Sequence, residues 1–161
     1  MLYQLTKFLE KLEDVTAALA LVIVLFSVIW GILSRLLPVE TAVWSIELSG
    51  VVFTWAVFIG SSAAYRRGMH VSIPIIIDLL PKVLHFLIFI IVQIIVFIFL
   101  LYVVYLSGLL MIESANRPSP VLRIPFTFVY LPVALSCLSI ALTTARLGFE
   151  KIKTLQTKKG D

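Results

Sequence analysis

The chain has 161 residues, of which 61% are hydrophobic and only 14% charged, against roughly 45–50% and about 25% in soluble globular domains. That balance excludes a water-soluble domain. The net charge of +4 does not mark a nucleic-acid binder, because the basic residues flank apolar runs and are not interleaved with aromatics on a polar face. The single cysteine, Cys137, lies inside an apolar stretch, which excludes an internal disulfide and a CxxC redox centre and leaves a small buried apolar residue as its reading.

A bilayer's hydrocarbon core, about 30 Å thick, is crossed by roughly 20 apolar residues in a helix. The sequence predicts an all-α integral membrane protein with four such spans and amphipathic interfacial arms. Residues 1–14 come first, with Leu2, Leu5, Leu9 and Leu12 at helical spacing and Lys7, Glu10, Lys11 and Asp14 on other faces. This is the pattern of a helix lying in the membrane interface. The charges also argue against a cleaved leader. The first span is expected over 15–37 and the second over 44–65. Between the second and third, residues 66–82 include a stretch apolar apart from Asp78 and broken by Pro74. It is too short to cross and is expected to form a second interfacial arm. The third span, 83–112, is interrupted only by Gln93 and is long enough that it must tilt or project. A loop at 113–123 leads to the fourth span, 124–149, which opens on Pro125 and contains Pro132. The tail is 150–161.

Orientation follows from lysine and arginine at the span ends. One side carries Lys7, Lys11, Arg66, Arg67, Lys82, Arg146, Lys151, Lys153, Lys158 and Lys159; the other carries Arg35, Arg117 and Arg123. Ten against three places both termini and the middle loop in the cytoplasm.

The spans are poor in chemistry. A transporter or pump places ionisable groups within its membrane helices, and only Glu47 approaches that condition, within one turn of a span end. Capping or a partner contact suits it better, and a self-sufficient four-helix transporter therefore lacks its carboxylate. Gln93 is expected to bond a neighbouring helix. His70 and His85 lie in or near the middle loop, too far from the span interior to clasp a haem between facing helices, so a haem or quinone anchor is the weaker alternative. Neither has metal-ligand spacing with a carboxylate or cysteine. No nucleophile–base grouping or phosphate-cradling loop is present; no catalytic residue, metal or cofactor is expected.

What remains is surface for packing. Ala56, Gly60 and Ala64 recur every four residues in the second span, and Ser27 and Gly31 repeat the device in the first. Small residues at that interval let helices approach closely where lipid supplies no hydrophobic drive, and with Glu47, Trp44 and Trp55 they form the face expected to meet another membrane protein. Trp44 and Trp55, eleven residues apart, share a helix face. Trp44 suits the interfacial aromatic belt, and Trp55 suits an anchor within this chain or on another. Arg66, Arg67 and Lys82 are candidates for lipid headgroups, each contributing about 1 kcal/mol, or serve only to fix topology.

Two stretches carry a family resemblance. One is Glu47, Trp55 and Gly60 followed by Ala64-Tyr65-Arg66-Arg67-Gly68-Met69-His70-Val71 and Leu80-Pro81. The other is Ser119-Pro120-Val121-Leu122-Arg123-Ile124-Pro125 followed by Tyr130-Leu131-Pro132. In this order they resemble the small membrane subunit of tripartite ATP-independent periplasmic (TRAP) transporters, the DctQ-like family, although Pro74 stands near the family's usual acidic position. The resemblance implies a scaffold subunit in the bacterial inner membrane, pairing obligately with a large elevator-type membrane subunit. A periplasmic binding protein would deliver an organic acid, of the C4-dicarboxylate or sialic acid type, for sodium-driven uptake.

Overall fold

The computed structural model describes residues 2–68 and 82–157. Within them lie four helices: α1 (Leu2–Leu36), α2 (Val43–Arg66), α3 (Lys82–Glu113) and α4 (Thr127–Thr157). Segments long and apolar enough to cross a membrane are Glu10–Leu36, Val43–Arg66, Leu87–Glu113 and Thr127–Phe149. The four-helix membrane architecture expected from composition is the one observed. Most of the middle loop, with His70, Pro74 and Asp78, lies outside the described residues, as do the side chains of residues 2–9, Lys82 and His85.

Two boundaries differ from expectation. The predicted arm 1–14 and first span share one uninterrupted helix, because nothing from Leu2 to Trp30 breaks it: no proline, and the first glycine is Gly31. The fourth helix begins three residues late, because residues 117–126 form a small hairpin. Its two arms meet in one antiparallel bridge, Pro118 to Pro125, with Ser119 N–H on the Ile124 carbonyl (2.9 Å) and Phe126 N–H on the Arg117 carbonyl (3.2 Å).

The helices lie in a row. Packing is α1 on α2, α2 on α4 and α4 on α3, and among the described residues no other pair meets substantially. Side-chain spacing explains the order. On α1, Ala20, Ser27 and Ser34 are buried seven residues apart, and Leu100 and Ser107 on α3, with Ser114 just past its end, repeat that interval. A single seven-residue stripe serves one neighbour, which suits an outer helix. The inner helices bury more than one face: Ser45, Ile59, Ser62 and Ala63 on α2, and Pro132, Ser136, Cys137, Ala141 and Thr144 on α4.

The row is inverted relative to a soluble protein. Among the described residues, small polar side chains dominate the buried positions, whereas Phe26, Ile98 and Phe99 are each more than 60% exposed. Lipid is as apolar as leucine, so large side chains gain nothing by turning inward, and close backbone approach decides the contacts. A small apolar core joins α3 to α4 around Leu100, Cys137 and Ala141, with Val96, Phe97, Val104 and Val133 against it.

Candidate functional site

Three sets of contacts lock the row, each using residues the sequence singles out. The first joins α1 to α2 at the hairpin end. A Cβ on Gly31 would stand 2.4 Å from Ser45 Oγ, so the two helices touch there only because residue 31 is glycine. Ser45 donates to the Ala42 carbonyl at 2.7 Å, and Ser34 Oγ accepts the Ala42 N–H at 3.1 Å, closing the α1–α2 connection. Ser27 is fully buried, and among the described residues its hydroxyl has no partner. Ser27 and Gly31, expected to meet another protein, are therefore spent inside the chain. Near the other end a Cβ on Gly60 would lie 3.9 Å from Ala17 Cβ, in ordinary contact with α1. Ala56 and Gly60 line a shallow groove between α1 and α2 with Ala17, Leu21 and Phe53; Ala64, one turn on, is half-buried.

The second set joins α2 to α4 through a backbone defect. Pro132 sits inside α4 and has no N–H, so the carbonyl four residues earlier, Phe128, loses its helical donor. Trp55 Nε1–H donates to that carbonyl at 2.9 Å. Trp55 is thus an anchor within this chain. An unsatisfied carbonyl in hydrocarbon costs several kcal/mol, and an indole, apolar but for one donor, suits the position. Trp44 is part-exposed near the start of α2, where a belt residue belongs.

Glu47 holds the hairpin. One carboxylate oxygen accepts the N–H groups of Val121 (2.9 Å) and Leu122 (3.0 Å), while Ser119 Oγ accepts the Ile124 N–H at 3.0 Å. Among these turn residues Arg123 has a left-handed φ of 54°, a conformation costing an L-residue about 1–2 kcal/mol. The carboxylate offsets that by pairing amides the turn leaves without backbone partners. Glu47 is committed to structure, so the lone-transporter alternative loses its candidate carboxylate.

The third set is a polar belt across the opposite end. Arg66 of α2 pairs with Glu13 of α1, and the same guanidinium nitrogen lies 3.3 Å from both Ser62 Oγ and Ser139 Oγ. Ser62 Oγ is 3.1 Å from Glu13 and 2.9 Å from Ser139 of α4. Tyr65 and Thr144 share a hydroxyl bond of 2.7 Å, and Gln93 of α3 donates to the Thr144 carbonyl at 2.6 Å, as expected of it. All four helices are joined. Arg67 pairs with Asp14. Arg66 and Arg67, considered for lipid headgroups, each have a carboxylate partner on α1; the side chain of Lys82 lies outside the described residues.

Sequence reasoning misses Glu13, Ser119, Ser139 and Thr144 as contact residues. A readable signal exists for one bond: a proline within an apolar span announces an orphan carbonyl four residues back. The seven-residue stripe of Glu13, Ala20, Ser27 and Ser34 is a second readable signal.

These contacts define a multi-pass helical membrane protein whose polar side chains are engaged in holding its own helices in register. The profile of the family described as tripartite ATP-independent periplasmic transporters, DctQ component, matches residues 24–154, and the chain belongs to that family. It is therefore a component of a bacterial inner-membrane transporter. It is similar to a Haemophilus influenzae protein described as a TRAP transporter small permease, 26% identical over 136 residues, covering 84% of this chain and 82% of the relative. It is also similar to the sialic acid TRAP transporter small permease protein SiaQ of Vibrio cholerae, 28% identical over 81 residues, covering 50% of this chain and 47% of the relative.

Proposed function

We propose that this chain is the static scaffold subunit of a sodium-driven TRAP transporter that imports an organic acid delivered by a periplasmic binding protein. On this reading it pairs obligately with a large membrane subunit that carries the substrate and ion sites. Both termini and the polar belt face the cytoplasm, and the hairpin faces the periplasm. The bias of basic residues supports that orientation.

The observation that carries the proposal is the row itself. Transport by one chain needs a polar path between helices, and a row of four has no enclosed space at its centre. Ser62, Ser139, Tyr65, Thr144 and Gln93 instead bond one helix to the next, while large apolar side chains project from the row. Such a layer can widen a partner's membrane-embedded frame. Tipping that frame would expose apolar surface to water or draw the charges of the belt into hydrocarbon, and both are costly. A carboxylate cargo, of the sialic acid or C4-dicarboxylate class, is suggested by the Vibrio cholerae relative's description and by the family resemblance.

The test is co-expression with a large TRAP membrane subunit from the same genome, followed by purification on a tag carried by that subunit. Equimolar recovery is expected. Separate elution of two folded proteins in a mild detergent would contradict the pairing.

A further inference from the structure

A surface groove of about 670 Å³ runs between α1, α2 and the hairpin. Its walls are Leu19, Ala20 and Ile23 of α1, with Leu48, Val52 and Trp55 of α2. The lining is apolar except at Thr16 and at one cation, Arg123, contributed by the hairpin beside Ile124 and Pro125. Among the described residues Arg123 has no ion pair or hydrogen-bond partner for its side chain, in contrast to Arg66 and Arg67. An unpaired guanidinium at the mouth of an apolar groove at a membrane surface is complementary to a ligand with a phosphate head and a hydrocarbon tail.

The groove's length fits that ligand. The antiparallel register of α1 and α2 is set by Gly31 opposite Ser45 and Gly60 opposite Ala17. Leu48 marks the hairpin end of the groove, and Thr16 stands level with a position about twelve residues further along α2. At about 1.5 Å per residue the groove therefore descends about 18 Å. One leaflet of a hydrocarbon core about 30 Å thick is about 15 Å deep, so the groove accepts a full acyl tail of the leaflet nearest Arg123 and little beyond. A partner's transmembrane helix would instead call for a channel traversing the whole bilayer.

We infer that this groove seats a phospholipid, its tail along Leu19, Ile23 and Val52 and its phosphate on Arg123. The existence of the seat stands on the groove and the cation alone. Its placement in the periplasmic leaflet rests on the orientation proposed above. A lipid held there fills the gap between α1 and the start of α4, helices that make no substantial contact of their own.

Photolabelling of the full chain, assembled with its membrane partner in vesicles, tests the seat. The probes are phosphatidylglycerol with a photoactivatable group on its acyl chain and diacylglycerol with the same chain. Peptide mapping should find phosphatidylglycerol attached at residues 19–23 and 48–55, and Arg123→Gln should lower that labelling about ten-fold, the scale of one charge-assisted bond. Arg123→Lys should retain most of it. Labelling of the exposed α3 face at Ile98, Phe99 and Tyr102 should be unaffected by either change, which also reports that the variants remain folded and inserted. Equal groove labelling by diacylglycerol, or labelling indifferent to Arg123→Gln, would overturn the phosphate contact. An unlabelled groove beside a labelled α3 would show that a partner helix covers it, and the lipid seat would be wrong.

Discussion

The indole nitrogen of Trp55 lies 2.9 Å from the carbonyl oxygen of Phe128, the acceptor that Pro132 leaves without a helical donor. A donor on α2 thus repairs a gap in the hydrogen-bond ladder of α4, across 73 residues of sequence. Removing the indole should leave a carbonyl unsatisfied in hydrocarbon. Trp55→Phe is expected to destabilise the fold by about 1–3 kcal/mol. In a Pro132→Ala background the helix supplies its own N–H, and the same change should cost less. A double-mutant cycle of unfolding in detergent should show coupling of about 1 kcal/mol. Additive effects would mean that Trp55 contributes only packing.

The hairpin offers a second test. Glu47→Ala removes the acceptor for the Val121 and Leu122 amides, so hydrogen exchange at these two positions should accelerate by about ten-fold or more, as expected for losing bonds to a charged group. Glu47→Gln keeps a carbonyl oxygen in place and should preserve most of the protection. Unchanged exchange in the alanine variant would show that the hairpin holds itself.

Glycines separate close contact from open space. Gly31→Ala places a methyl group 2.4 Å from Ser45 Oγ, and overpacking of this kind costs about 1–3 kcal/mol. At Gly50 and Gly108 an added methyl group would meet nothing within 4 Å. There alanine should be neutral or stabilising by up to about 1 kcal/mol through helix propensity. Thermal unfolding of the three variants in one detergent checks the contrast, and equal behaviour would refute the contact between α1 and α2 at Gly31.

The belt can be tested by charge reversal. Glu13→Arg and Arg66→Glu should each destabilise, because each sets like charges together in a partly buried site. The double reversal should recover much of the loss, since the pair is restored with opposite polarity. Ser27→Ala should cost little, because the buried Ser27 hydroxyl bonds nothing. A double reversal no better than the singles would mean that Ser62 and Ser139 demand the arginine where it is.

Span number was legible because hydrocarbon thickness imposes a minimum length on any apolar run, and charges cluster where the runs end. Gln93 was legible as a polar group that needs a helix to bond. Trp55, Glu47 and Arg66 were visible as unusual residues, yet their partners were not. Their bonds to other elements join positions 53 to 75 residues apart, and those positions meet only because α2 lies between α1 and α4. Periodicity within one helix cannot state which helix comes next to it. The small-residue stripes carried part of that information: one stripe at seven-residue spacing on α1 and one on α3 mark outer helices. The start of α4 was misplaced because Ile124 and Phe126, apolar residues of the hairpin, read as span although the backbone there is turned by Pro118, Pro120 and Pro125.

The central claim is that these four helices support a transporter without transporting. Reconstitution into liposomes measures it most directly, following uptake of a labelled organic acid under an inward sodium gradient. This chain alone should give no uptake above empty vesicles, and addition of the large subunit and the cognate periplasmic binding protein should restore sodium-dependent accumulation. Uptake by this chain alone would contradict the account.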